Sequence, residues 1–320
     1  MLNFFVNRRY AYTFSIFALE WASPRFREVV KIIPYDRLPL IMDILPGTFV
    51  FSDLERLNSL QLNVLETFCD QLVSADADIS IINHPKSVLN RYNLLRALYE
   101  AGINKYNVYP ATDSACSPQY PIFLRMTNDH KGPLTDLLYN TQQRDAKLLQ
   151  TAMQGFDTKH MLQVEFCETK GQDGLYRKYS AFRFGADQII PGHMIFARDW
   201  IAKDGDPPDT HTLQESERYL QQNPHADKLM EIFELAGITY GRIDYSILAG
   251  NIQTWEINTN PILIKPRKEY KAELLEIKAR LAKVFEKYIL AMDHYGSEKR
   301  ITSKAGQAIS IEWDSAKYFS

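Results

Sequence analysis

The segment from Gly241 to Pro261 constrains this chain most. It runs Gly241-Arg242-Ile243-Asp244-Tyr245-Ser246, turns at Ala249-Gly250-Asn251, and continues Thr254-Trp255-Glu256-Ile257-Asn258-Thr259-Asn260-Pro261. Ile243, Tyr245 and Ile247 alternate with Asp244, Ser246 and Leu248. Gln253, Trp255 and Ile257 alternate with Thr254, Glu256 and Asn258. Alternation on either side of a Gly-Asn turn predicts two short strands in a hairpin. Side chains two positions apart share a face, so Glu256 and Asn258 lie together and pairing brings Asp244 beside them. An Asp and a Glu alone read as a solvated hairpin face. The added Asn258 and the Asn-Pro stop favour a metal site instead. Three hard oxygen donors on rigid strands suit Mg²⁺, which takes one or two carboxylates and completes its shell with phosphate oxygens and water.

Composition sets the frame. The 320 residues are 45% hydrophobic and 24% charged, ordinary for a soluble globular protein, and the length allows roughly two or three packed units. A net charge of -2 gives no global support for a nucleic-acid or anionic-membrane partner. Cys69, Cys116 and Cys167 are widely spaced with no Cys-x-x-Cys pair. That argues against a disulfide framework or structural zinc and leads to the expectation of a cytoplasmic location. The apolar run Leu2 to Val6 is broken by Asn7-Arg8-Arg9, too short for a signal core or a membrane span, and is read as a first strand.

The N-terminal third alternates strand and helix patterns. Gly47 to Phe51 reads as a buried strand, with Ser52-Asp53 as the helix start. Leu57, Leu60, Leu62, Val64, Leu65, Phe68 and Leu72 then follow at helical spacing. Asp78 to Asn83 reads as a strand and Ser87 to Glu100 as a helix ended by Gly102, an order that favours a parallel, doubly wound sheet. Asp113 to Pro118 reads as a linker, Tyr120 to Arg125 as a strand, and Leu134 to Leu149 as a helix. Met161 to Phe166 and Tyr179 to Phe184 read as strands, Leu213 to Leu235 as one long amphipathic segment, and Lys268 to Met292 as a terminal helix. Four units are expected: an α/β domain over 1–112, a lid over 113–167, a lobe with the metal hairpin over 168–292, and a polar tail over 293–320.

Arg-x-Asp, a hairpin, then Glu-Ile-Asn-x-Asn-Pro resembles the metal-binding end of the ATP-grasp superfamily, of the glutathione-synthetase and ribosomal-protein glutamate-ligase type. The likeness extends over about Ile81 to Pro261. It implies an ATP-grasp fold: an N-terminal Rossmann-like α/β domain, a small lid and a C-terminal α+β lobe. In that resemblance Asp244 holds one Mg²⁺ (or Mn²⁺), Glu256 bridges two, and Asn258 completes the second. Arg91, following Asn83-His84-Pro85, and Arg125, ending Pro121-Ile122-Phe123-Leu124-Arg125, stand where the family presents lysines to phosphate. A guanidinium keeps that role through a two-pronged hydrogen bond. Thr127 to Gly132 takes the place of the mobile glycine-rich loop with only one glycine. Lys131 and His130 there are read either as phosphate contacts or as solvated loop residues. Gln163-Val164-Glu165-Phe166-Cys167 resembles the segment that reads adenine, with Glu165 or Glu168 accepting from adenine or ribose.

The same resemblance makes Arg177 and Arg242 catalytic, beside the γ-phosphate and acyl phosphate. Lys178, Arg183, His193 and Asn260 become substrate contacts, with Trp200 and Lys203 near an acceptor pocket. Alternation puts Arg177 and Arg183 on one strand face and Lys178 on the other. The implied activity is ATP-dependent ligation of a carboxylate to an amine or other nucleophile through an acyl phosphate. A small-molecule kinase of the same fold, or a non-catalytic ATP-binding module, are the alternatives. Expected partners are ATP and a small carboxylate or peptide, without nucleic acid or membrane, and a homo-oligomer is compatible with this reading. No Gly-x-x-x-x-Gly-Lys-Ser/Thr motif and no Ser-His-Asp set is recognisable.

Overall fold

A computed structural model of the chain describes all residues except 76–77, 186–187, 204, 208, 271, 295–307 and 314–320. The N-terminal part contains β1 (Leu2–Val6), α1 (Tyr12–Glu20), α2 (Pro24–Val29), β2 (Val30–Pro34), β3 (Asp43–Ile44), β4 (Thr48–Phe51), α3 (Ser59–Ser74) and β5 (Ser80–Ile82). Strands β2-β1-β4-β5 form one parallel sheet in that order. Parallel strands covered on both faces are rich in apolar side chains, and β1 and β4 are buried throughout, with Asn3 and Thr48 as their polar residues. Successive residues feed opposite cores. Phe4 packs with Phe14, Phe17 and Phe26 on one side, while Phe5 packs with Phe49, Phe51 and Phe68 on the other.

Next come α4 (Arg91–Glu100), β6 (Val108–Pro110), β7 (Ile122–Met126), α5 (Thr141–Met153) and β8 (Met161–Glu165). Strands β6-β8-β7 make a small antiparallel sheet. The last part holds β9 (Tyr176–Phe184), β10 (Ile189–Ala197), α6 (Thr210–Gln222), α7 (Ala226–Leu235), β11 (Tyr240–Leu248), β12 (Asn251–Asn258), α8 (Ala272–Ala291) and β13 (Ile309–Ser310). Strands β10-β9-β11-β12 form the large antiparallel sheet. Its lower face packs Ala181, Ile243, Tyr245 and Ile257 on α4 and α7, whose Leu94, Leu98, Ile232 and Phe233 complete the core.

Several elements differ from expectation. Asp53 does not start a helix: it sits at φ 58° ahead of a short 3-10 turn, and α3 begins after Asn58, whose side chain caps Gln61 N–H. Residues 134–138 are not helical: bends at 134–136 lead to Leu138, bridged to Ile122, and α5 starts only after the Asn140 cap. The amphipathic stretch 213–235 is two helices, broken at Asn223 in the left-handed region before Pro224. Strand β10 carried no clear alternation. Strand β6 joins the small sheet, so that layer begins ahead of residue 113. Of the tail over 293–320, the described part returns to the N-terminal unit. There β13 pairs with β3, and the Trp313 ring stacks on Phe68 at 6.1 Å; most of the rest lies outside the described residues. No helix among the described residues is long and apolar enough to cross a membrane.

The turn leading into β11 depends on one glycine. Gly237 has φ +65°, and a Cβ there would stand 2.1 Å from the Ser87 carbonyl oxygen. Its neighbour Ala236 accepts from Leu89 N–H at 2.9 Å, clamping α7 against the loop ahead of α4. Gly237→Ala is therefore expected to lower the unfolding free energy by at least about 2 kcal/mol through left-handed strain and backbone overlap. A urea midpoint equal to that of the parent chain would disprove this.

Candidate functional site: a cationic cleft between two sheets

The two antiparallel sheets face each other across a cavity of about 210 Å³. Its floor is the upper face of the large sheet: Tyr176 and Lys178 of β9, Arg242, Asp244 and Ser246 of β11, and Trp255 and Glu256 of β12. Phe123 and Arg125 of β7 form the roof. Residues 130–133 close one side, and Phe166, Cys167 and Trp200 to Lys203 another. The wall is aromatic where Trp200 meets Phe123 at 5.0 Å and Phe166 at 5.7 Å. Elsewhere it is cationic: Arg125, Lys131, Lys178, Lys203 and Arg242 face only two carboxylates, Asp244 and Glu256. A flat apolar slot continuous with a cation surplus suits a planar base joined to a polyphosphate.

The hairpin register builds the acidic centre. Asp244 pairs directly with Glu256, and Arg242 with Asn258. Between Asp244 and Tyr245 the register slips by one residue, so Trp255 is the extra residue of a bulge. The simple alternation expected for β12 fails there. Trp255 lines the cavity beside Glu256 and donates its indole N–H to Ser246 Oγ at 2.9 Å.

Glu256 is the anion of a buried cluster. Its Oε2 accepts from Arg91 Nη2 at 2.5 Å and from Arg125 Nη2 at 2.8 Å. Its Oε1 lies 3.3 Å from His130 Nδ1, while His130 Nε2 lies 2.9 Å from Glu55 Oε1. Glu55 comes from the loop after β4 and also accepts from Thr259 Oγ1 at 2.6 Å. Burial works against the charge on Glu256, but Arg91, His130 and Arg125 outweigh it and hold the carboxyl well below its ordinary range. Burial likewise works against the His130 imidazolium. Hydrogen bonds to Glu256 and Glu55 reverse that and raise its pKa, and Arg91 Nη2 lies 3.1 Å from the same Nδ1. Burial opposes charge on Glu55 too, yet the His130 bond brings its carboxyl down to about 2.

Arg91, the first residue of α4, also donates through Nη1 to the carbonyls of Met126, Thr127 and Asp129 at 2.9, 3.1 and 2.6 Å. The loop that follows β7 is thus latched over the cavity by an arginine below it and by His130 within it. Arg91 and Arg125 are only 6% and 8% exposed, and the Nε of each is buried with no hydrogen-bond partner. A buried guanidinium N–H without an acceptor is a costly arrangement that an anionic ligand would relieve.

The other expected site residues separate into those brought together here and those used elsewhere. Arg125, Lys131, Phe166, Cys167, Lys178, Arg242, Asp244 and Glu256 line the cavity, and Arg91 stands directly behind it. Glu165 is turned away: it accepts from the backbone N–H groups of Asn107 and Gln119, both at 2.8 Å, and braces the small sheet. Glu168 is exposed, outside the cavity lining, and accepts from Tyr176 OH at 3.2 Å. Arg177 lies on the strand face opposite Lys178. Its guanidinium is held by Glu215 at 2.7 Å and Asp173 at 2.6 Å, so it is a brace between β9 and α6. Arg183 is buried on that same face and donates to the Ile238 carbonyl at 3.3 Å. Asn258 and Asn260 lie beyond the cavity. Asn258 Oδ1 accepts from Asn260 N–H at 2.8 Å, and Asn260 donates to Asp53 at 2.7 Å, tying the hairpin to the N-terminal sheet. His193 bonds to Ser180 on β9 at 3.1 Å.

Glu55 escaped the reading of the sequence. It follows a strand in an unremarkable Asp-Leu-Glu run, 201 positions ahead of the carboxylate whose histidine it shares.

The donor set fits Mg²⁺ in kind: two carboxylates facing each other across a hairpin, with an amide one pair further along. Both carboxylates bond to guanidinium groups, Asp244 through Arg242 Nε at 2.7 Å and Nη2 at 3.1 Å. Among the described residues no group of three or more His, Cys, Asp or Glu is placed to hold a metal by itself. A divalent ion would therefore depend on phosphate oxygens for the rest of its shell.

No family model and no curated protein matches the sequence. Solved structures do. The ATP-grasp ligase PsnB, complexed with a minimal precursor, aligns with a TM-score of 0.50 at 11% identity, covering 91% of this chain and 98% of that one. The D-alanine–D-alanine ligase from Bacillus anthracis complexed with ATP aligns at 0.49 and 13% identity, over 93% of this chain and 97% of that one. The enzyme from Coxiella burnetii aligns at 0.49 and 11%, over 94% and 96%. The fold assignment rests on the first of these together with the sheet topology. With a parallel N-terminal sheet and two antiparallel sheets closing on a cationic cleft, the chain adopts the ATP-grasp fold.

Proposed function

We propose that this protein is an ATP- and Mg²⁺-dependent ligase that joins a carboxylate to an amine or another nucleophile through an acyl phosphate. One observation carries this reading. The fold's central cleft presents lysines with no ion pair among the described residues, and two arginines with orphaned Nε atoms, next to two opposed carboxylates on a hairpin. Phe123, Phe166 and Trp200 would sandwich the base. Lys131 on the latched loop and Arg125 on β7 would hold the phosphates from above. Lys178 and Arg242 would meet the transferring phosphoryl group from the sheet, spreading the charge that develops on its oxygens. Asp244 and Glu256 would hold Mg²⁺, with phosphate oxygens and water completing the shell; the metal would supply charge neutralisation to the polyphosphate. Phosphate oxygens would compete for the Arg91 and Arg125 guanidinium groups that hold Glu256, which would leave that carboxylate available to a divalent ion. The loop latched by His130 keeps water from the acyl phosphate.

The pairing of Glu256 with two arginines favours a second reading, a nucleotide-binding module without turnover. Calorimetric titration with ATP, with and without Mg²⁺, followed by ADP release against a panel of carboxylates and amines, separates the two. Binding at least about tenfold tighter with the metal, and ADP formed only with a competent acid, is the expected result. Equal affinity in EDTA with no ADP from any pair would leave the binding module.

A further inference from the structure

A second cavity, of about 90 Å³, borders the latch. His130 lines both cavities. Glu55 and Arg91 line the second and not the first, whereas Glu256 lines the first and not the second. The latch thus stands as a wall between the two. Most of the second chamber is aliphatic, and it lies at a seam between cores. Leu54 and Leu62 belong to a core of the N-terminal sheet, Leu94, Ile238 and Ile257 to the core under the large sheet, and Val88 packs against both. Close-packed interiors leave few voids larger than a water molecule, and this one has room for several.

Its polar lining is one connected patch. His130 Nε2 lies 2.9 Å from Glu55 Oε1, Thr259 Oγ1 donates to Glu55 Oε2 at 2.6 Å, and Arg91 Nη2 lies 3.1 Å from His130 Nδ1. Both charged members have hydrogen-bonding capacity left. Each Glu55 oxygen takes one of these side-chain bonds, and a carboxylate oxygen can accept two. The Nη atoms of Arg91 are committed to Glu256, His130 and the loop carbonyls, but its Nε is buried without a partner in a residue only 6% exposed. Arg91 also opens α4, and the first N–H groups of a helix have no partner within it and favour an anion. A carboxylate with room for donors and a guanidinium N–H lacking an acceptor, set in an aliphatic chamber, match a zwitterion with a small hydrocarbon body.

We propose that this chamber is a binding site for a small aliphatic α-amino acid, separate from the nucleotide cleft, and that its occupancy tightens the latched loop. The ligand's ammonium meets Glu55, its carboxylate meets Arg91 Nε, and its side chain fills the aliphatic wall. Bound in this way it ties the segment after β4 to the start of α4, the two places from which His130 and the loop carbonyls are held. The site goes beyond the ligase reading and stands without it.

Valine is the probe, beside 3-methylbutanoate, which lacks its ammonium, and 2-methylpropylamine, which lacks its carboxylate. Each is titrated calorimetrically into the full chain without nucleotide. Valine should bind at least about tenfold more tightly than either truncated compound. At saturating valine, amide exchange over residues 126–132 should slow. Leu62→Trp and Val88→Phe fill the chamber from walls outside the cleft and the latch. Each should weaken valine binding at least about tenfold, with a non-hydrolysable ATP analogue and Mg²⁺ binding as in the parent chain. No valine binding, equal affinity for valine and either truncated compound, unchanged exchange with valine bound, or undiminished valine affinity in both variants overturns the site. Failure of the analogue to bind the parent chain while valine still binds removes the nucleotide reading and leaves the site in place.

Discussion

Glu256→Gln is expected to destabilise the nucleotide-free protein by about 3 kcal/mol and to cut turnover at least about a hundredfold. The stability loss follows from the cluster rather than from a metal. Removing this one negative charge leaves Arg91, Arg125 and His130 close together in a buried setting with Glu55 as the remaining nearby anion. Taking one partner from a buried ion pair leaves an uncompensated charge, a far larger penalty than the net worth of the pair. A polyphosphate should partly repair the defect because it supplies anionic oxygens to the same guanidinium groups. Saturating ATP analogue is therefore expected to raise the melting temperature of the variant by more than it raises that of the parent. Coincident unfolding midpoints of variant and parent without ligand would show that the cluster does not hold the lobes together. Equal stabilisation of both by the analogue would show that phosphate does not reach these arginines.

The second large effect separates two neighbouring cations. Lys178→Met should lower kcat about a hundredfold with little change in nucleotide affinity, whereas Arg177→Met should leave kcat within about threefold. Lys178 projects from β9 into the cleft, and its ammonium has no ion pair among the described residues. Arg177 projects from the other face and is committed to Asp173 and Glu215. Its loss should loosen α6 against the sheet, visible as faster amide exchange over Thr210–Gln222. ADP release by each variant, once a competent acid is found, decides the matter. The reverse ranking would return the catalytic role to Arg177.

Arg177 also marks a limit of reading strands from sequence. Alternation correctly places Arg177 and Lys178 on opposite faces, since that follows from the pleat alone. Which face looks into the cleft depends on what packs beneath the sheet. Here α4 and α7 cover the Ala181, Ile243 and Tyr245 side, so the even-numbered residues of β9 face up. Glu165 misled for the same reason. It ends β8 within the stretch that resembles an adenine-reading segment, but the backbone N–H groups of Asn107 and Gln119 lie on its side of the strand and donate to its carboxylate.

Trp255 and His193 show a second limit. Each sits in a bulge, one against the Asp244–Tyr245 step of β11 and one against Ser180 of β9. A bulge shifts the phase of alternation by one residue, and no local residue pattern announced either. The latch residues depend on still longer range. Glu55, Arg91, His130 and Glu256 come from four separate segments, and only closure of the lobes brings them within hydrogen-bond reach.

The sequence by itself determined the hairpin with Asp244 facing Glu256 and the parallel N-terminal sheet. These follow from short-range periodicity and turn chemistry, which the backbone obeys wherever it is placed. Tertiary structure alone decided which cations Glu256 holds, which face of β9 meets the cleft, and which asparagines serve as struts rather than contacts. Each of those outcomes is set by burial and by the pairing of charges between segments distant in the chain, and neither is encoded in local spacing.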